Sequence, residues 1–316
     1  GIYWYIYKFY VIICIKINSS SLQVLCLYKR GELLMKQRKS LKELNLLDKF
    51  LFDEAMDDPE NVKTMLDIIL SQNTSLKYPP QTEKEQRTST DNRQIRLDVY
   101  AVDEDDVIYE VEAQKENTHN LSKRSRLYQG IIDSKLLPPG VVDFNLLNEV
   151  LIVIITPFDL FGYGLYRYTF QMKCEEVPEL KLDDGATRIF LNTKGIHPEL
   201  VSPELIELLK YMEHSTDEVS EVCKSKRIQE MHRRVCRIKA SEKTEVKYMQ
   251  SWEEKILIKQ EGIAEGRKLG YEEGEKELLK NLVRKKLAKN ISTEQIAEML
   301  EIDISEVENI IKELAK

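Results

Sequence analysis

The stretch RLDVYAVDEDDVIYEVEAQ, residues 96–114, decides how this chain folds. Two runs of strand-forming residues flank an acidic turn, yet the runs carry Asp98, Glu112 and Gln114 where a folding argument alone would place Leu or Val. Along 107–114, strand alternation sets Glu110, Glu112 and Gln114 on one face and Tyr109, Val111 and Ala113 on the other. Asp98 joins the first face only if the loop within VDEDDV holds an odd number of residues, and three- and five-residue hairpin loops are available for that. An even loop would turn Asp98 to the opposite face. Carboxylates held side by side repel and raise one another's pKa unless a cation neutralises them. A hard, oxygen-seeking ion such as Mg²⁺ suits one Asp and one Glu.

Working outward, the chain upstream carries Leu44, Leu47, Leu51, Met65, Ile68 and Ile69 at three- and four-residue spacings, split by Asp57-Asp58-Pro59. That pattern predicts two packed helices, the second opened by Pro59. Residues 76–85 and 94–101 read as extended, 107–114 as a strand, and 118–137 as a helix with Leu121, Leu127, Ile131 and Leu136 inward. The nearly apolar run within 146–158 is expected to be a strand covered on both faces, the centre of a sheet. Further strands are expected over 166–174 and 187–192, which gives an α/β sandwich. The PFDLFG after the central run reads as a packing turn.

With 316 residues, 42% hydrophobic and 32% charged, the chain can bury a real core. Its formal net charge of −7 argues against a surface that attracts nucleic acid everywhere and leaves room for a local basic track. Five scattered cysteines without a C-x-x-C pair fit a reduced, cytoplasmic compartment. Residues 1–34 are rich in Ile, Tyr, Phe and Lys, with Lys8 and Lys16 breaking the apolar run below the roughly 18 residues of a membrane span. They read as a spurious or disordered extension, with Met35 as the start of translation and no membrane association expected.

Beyond residue 200 the pattern is helical. The segment 216–260 concentrates Lys224, Lys226, Arg227, Arg233, Arg234, Arg237 and Lys239, the best candidates for contact with a DNA backbone, although a solvated helix face explains such a run as well. His232 reads as standing alone. Over 261–280, Gly262, Gly266, Gly270 and Gly274 recur every fourth residue, implying either a pliable connector or close helix–helix approach. Residues 281–316 read as a helical hairpin, with Ser292 and Ser305 as start signals. It resembles half of a helix-turn-helix, but its second helix carries Glu306, Glu308 and Glu313, so partner binding or homo-oligomerisation through these helices is the expectation.

The arrangement D-x(13)-E-x-Q followed by a helix with KRSRLYQG resembles the PD-(D/E)XK nuclease superfamily, and more closely its recombination-promoting nuclease (Rpn) branch, whose members are also grouped as transposases. The likeness runs from LLDKFLFDEAMDDPEN through the hairpin and LIVIITPFDLFGYGLYRYTF into the glycine-periodic tail. It implies a restriction-endonuclease-like mixed-sheet core flanked by helices over 35–215, with an α-helical C-terminal extension. It also implies Asp98 and Glu112 as ligands of Mg²⁺ or Mn²⁺, the Ala113 carbonyl as a further ligand, and Gln114 as the residue that helps place the attacking water. The expected activity is hydrolysis of DNA phosphodiester bonds by an endonuclease from a mobile or phase-varying bacterial locus. Leu97 stands where the named motif has Pro. Arg124 and Tyr128, four residues apart on one helix face, would contact and orient a phosphate; alternatively Arg124 pairs with the carboxylates and Tyr128 caps the core. The first helix is expected to add an acid, Asp48 or Glu54. The alternative to an enzyme is a catalytically inactive DNA- or protein-binding scaffold that keeps the nuclease fold.

Overall fold

The structure is a computed structural model that describes residues 38–86 and 95–314. The expected extension 1–34, Met35, Cys14 and Cys26 lie outside the described residues. Two compact units divide at Glu245/Val246, a boundary that falls inside the basic region expected over 216–260.

Helix α1 (Lys49–Met56) and helix α2 (Pro59–Leu70) form the predicted pair. Asp58 caps α2 by accepting from the Glu60 amide, with Pro59 in the first turn where its missing N–H leaves no donor unpaired. Strands β1 (Gln81–Gln86), β2 (Ile95–Val102) and β3 (Ile108–Ala113) follow, then α3 (Leu121–Asp133), β4 (Val150–Thr156), β5 (Arg167–Phe170) and β6 (Ala186–Asn192). They make one six-stranded mixed sheet in the order β1-β2-β3-β4-β6-β5. The β4 strand runs parallel to both β3 and β6, and six of its seven residues are buried, as expected of a strand covered on both faces.

One face meets α3, where Leu121, Tyr128, Ile131 and Ile132 pack on Ile108, Val150, Ile152, Ile154 and Phe190. Leu127, expected inward, is 42% exposed; four residues on from Leu121 would be Ser125, and the buried stripe runs Leu121, Ser125, Tyr128 and Ile132. On the reverse face Val99, Val111, Val153, Ile155 and Leu191 are also buried, whereas Ile95 and Leu97 join the cluster under α3. Arg167, on that side through its pairing with Leu191, donates to the Ile69 carbonyl of α2 at 2.8 Å. Three helices complete the unit: α4 (Pro203–Glu213), α5 (Asp217–Val222) and α6 (Lys226–Lys239), capped by Ser202, Thr216 and Ser225 respectively. The expected packing turn is one: Asp159 accepts from the amides of Phe161, Gly162 and Gly164 and from the Tyr168 hydroxyl.

Helix α7 (Glu242–Leu287) begins in the last residues of the first unit, and from Val246 on it belongs to the second, followed there by α8 (Thr293–Leu300) and α9 (Ile304–Leu314). Val283, Ile296, Ala297, Val307 and Ile310 form the buried cluster of this second unit. Ser292 makes a capping box with Gln295, whereas Ser305 falls inside the first turn of α9 instead of before it. The four periodic glycines lie within α7, and a Cβ built on any of them would meet nothing within 4 Å, so no described residue approaches them closely. Among the described residues no helix is long and apolar enough to cross a membrane.

Candidate active site

The position of Asp98 is decided by the loop between β2 and β3. Val102 pairs with Ile108, leaving Asp103–Val107 as a loop of odd length. Asp103 builds that loop from within: its Oδ1 accepts from the amides of Asp105 and Val107 at 3.0 and 2.9 Å, and its Oδ2 accepts from the Tyr109 hydroxyl at 2.7 Å. Asp106 takes the left-handed conformation at φ 60°, which Asp tolerates better than most residues. The register runs as far as Val99 opposite Val111, and Asp98 follows next, where Glu83 of β1 takes a φ of 50° and no 83–98 pair forms. Glu110, Glu112 and Gln114 share the face that α3 covers, and Asp98 comes close enough for its charge to act on Glu110 and Glu112.

Each carboxylate then meets a cation from another element. Lys49, the first residue of α1, donates to Asp98 Oδ1 at 2.5 Å and to Asp53 Oδ1 at 3.2 Å. Arg124 of α3 forms an ion pair with Glu112 and donates to Gln114 Oε1 at 2.7 Å. Its guanidinium lies 5.8 Å from the Tyr128 ring centre. Gln114 donates in turn to the Glu116 carbonyl at 2.7 Å. Arg124 thus pairs with the carboxylate as one of its sequence-level alternatives held, while Tyr128 is buried. Ala113 ends β3 between the two, its methyl buried on the opposite face.

The acids outnumber these cations. Burial raises the Glu112 carboxyl from the ordinary 4.5 to about 7, with Arg124 opposing and Asp98 reinforcing. Burial likewise raises Asp53 from 3.8 to about 7, Lys49 opposing and Asp98 adding. Glu110 is fully buried, and burial followed by Glu112 and Asp98 pushes its carboxyl well above the usual range. Glu112 Oε2 lacks a hydrogen-bond partner, and the Glu110 carboxyl has only the Asp98 backbone beside it. Buried polar atoms of this kind cost about 1–3 kcal/mol each, so the arrangement is not explained by stability.

On α1, Asp53 stands beside Lys49 and is acted on by the charge of Asp98. Asp48, one of the two acids expected from this helix, accepts from Lys115 at 2.5 Å and from the Asn45 amide at 2.9 Å. Sequence reasoning also missed Lys49. A signal existed: a Lys in the first turn of a helix opposes the helix dipole, and a Lys four residues before an Asp is the weaker orientation of that pair. Lys49 is therefore placed for a partner outside its helix.

The basic run on α6 is partly committed to the fold. Arg234 donates to Asn61 Oδ1 at 2.7 Å and lies 3.7 Å from Asp58, and Arg227 pairs with Glu204, so both clamp α6 to its neighbours. Arg233 and Arg237 are exposed, Arg233 facing Glu230 at 3.9 Å. His232, read as standing alone, has Cys236 and Asp217 beside it. Among the described residues, Asp217, His232 and Cys236 are the one group of three such side chains whose ligand atoms all lie within 4.8 Å of one another. Asp98, Glu110 and Glu112, wedged by Lys49 and Arg124, do not draw that close as a trio.

The chain matches no family model, no curated protein and no solved structure.

Proposed function

We propose that the chain is a metal-dependent DNA endonuclease of the recombination-promoting type, built on a restriction-endonuclease-like core. The observation that carries this reading is the closeness of Asp98, Glu110 and Glu112, with Gln114 beside Glu112 through Arg124, together with the buried, unpartnered Oε2 of Glu112. Oxygens that lack donors and repel one another fit a hard divalent cation. Asp98 and Glu112, with the Ala113 backbone carbonyl, would hold Mg²⁺ or Mn²⁺. When bound, such an ion makes water more acidic and steadies charge on a phosphate. Gln114 orients the attacking water through its amide. Asp53, with a carboxyl near 7, is matched to take a proton at neutral pH. Lys49 and Arg124, now engaged by carboxylates, are the cations best placed to turn to a phosphate once those carboxylates have another counter-charge.

A second reading, a scaffold without catalysis, is favoured by the same two ion pairs, since Lys49 and Arg124 already neutralise Asp98 and Glu112. Plasmid nicking with Mg²⁺, Mn²⁺ or Ca²⁺ separates the two. Divalent-dependent cleavage should fall on the order of 10²–10³-fold in Asp98→Ala and Glu112→Ala. Cleavage unchanged in both rejects the site, and DNA binding without cleavage in the wild type selects the scaffold.

A further inference from the structure

We propose that Asp217, His232 and Cys236 form a zinc site independent of the carboxylate centre. His232 and Cys236 lie four residues apart on α6 and so share a helix face, and Asp217 is the first residue of α5. His232 Nε2 stands 2.8 Å from Asp217 Oδ1 and 3.3 Å from Cys236 Sγ, and the sulfur is 3.9 Å from Asp217 Oδ1. Bond lengths of about 2.0–2.3 Å at tetrahedral angles require ligand separations of roughly 3.3–3.5 Å. The three observed distances straddle that range, so shifts of a few tenths of an ångström would seat the ion.

The donor set points the same way. A thiolate, an imidazole and a carboxylate together suit Zn²⁺, whereas Mg²⁺ and Ca²⁺ take oxygens alone. With both the thiol and the carboxyl deprotonated, the ion's charge is balanced at the site.

The second nitrogen of the ring is already held. Tyr211, fully buried on α4, places its hydroxyl 3.0 Å from His232 Nδ1, the kind of outer contact that fixes the orientation of a metal-bound imidazole. Without metal, the Tyr211 hydroxyl donates to Nδ1 and Nε2–H donates to Asp217. With metal, Nδ1–H donates to Tyr211, whose hydroxyl can turn to accept, and Nε2 presents its lone pair. The His232 side chain is 10% exposed and that of Asp217 80% exposed, so the fourth position opens to water. Such a site would tie the six-residue α5 to α6 and, through Tyr211, to α4.

The test uses the full chain, reduced and stripped with a chelator, titrated with Co²⁺ and then Zn²⁺. The wild type should show a thiolate-to-Co²⁺ charge-transfer band saturating at one equivalent and abolished by Zn²⁺. The band should be lost in Cys236→Ser and His232→Gln and kept in Cys223→Ser and in Asp98→Ala. Tyr211→Phe should weaken Zn²⁺ binding about 10–100-fold by competition. Asp217→Asn, at an exposed position where folding is not at stake, should weaken it at least tenfold. No band in the wild type, a band surviving in folded Cys236→Ser, or unchanged affinity in Asp217→Asn overturns the proposal.

Discussion

Replacing Glu112 by Gln should stabilise the first unit at alkaline pH, although it removes a residue assigned to the site. The native carboxyl titrates near 7 against an ordinary 4.5, chiefly because it is buried. Between those two values the folded chain keeps a proton that the unfolded chain has released, so stability falls as pH rises through the window. By pH 8 the accumulated penalty is on the order of 3 kcal/mol, each pKa unit being worth about 1.4 kcal/mol. Gln removes the charge while its carbonyl oxygen can still accept from Arg124, so most of that penalty is recovered. A gain of about 2–3 kcal/mol corresponds to roughly 5–10 °C in melting temperature for a unit of this size. Thermal unfolding followed by circular dichroism in chelator at pH 4.5, 6 and 8 reads the effect, which should vanish at the acidic end. Adding Mg²⁺ at 100 times its dissociation constant should then stabilise the wild type by about 2.7 kcal/mol and leave the variant nearly unmoved. A variant less stable than the wild type at pH 8 without metal, or a gain equal at all three pH values, would refute the reasoning.

Asp103→Ala should cost more than about 3 kcal/mol in urea unfolding, because it strips the Tyr109 hydroxyl and two loop amides of a charged acceptor, and it should lower any cleavage by loosening the register of Asp98. Arg237→Ala should reduce the salt dependence of DNA binding by about one unit of slope, while Arg234→Met should leave that slope alone and destabilise the fold through loss of the Asn61 and Asp58 contacts; the reverse pattern would reassign the two residues. Ile154→Ala, in the fully buried centre of β4, should cost about 2–5 kcal/mol by the same denaturation.

Legibility followed the range of the interaction. The alternation of Glu110, Glu112 and Gln114 is a property of consecutive residues, so their common face could be read without coordinates. The buried run of β4 and the Asp58-Pro59 helix start are local in the same sense. The helix-start reading failed at Ser305, where the chain enters α9 two residues earlier than the capping pattern suggests. The outward turn of Leu127 and the commitment of Arg234 to Asn61 depend on which neighbour each helix face meets, and no spacing rule carries that.

The amino-acid sequence by itself determined the strands, the main helices and which of its acids could stand together on one face of β3, because these follow from backbone periodicity over a few residues. Whether Asp98 joined them was left open between loop lengths; the side chain of Asp103, buried and accepting from three donors, closed an odd loop and set the register as far as Val99. Only the tertiary structure brought Lys49 and Asp53 from α1 and Arg124 from α3 to those acids, and Asp217 to His232 and Cys236. The physical reason is that charge and metal chemistry act through distance in space. Packing of apolar faces sets those distances, and a local misfit such as Lys49 in a first helical turn shows at most that a partner lies elsewhere.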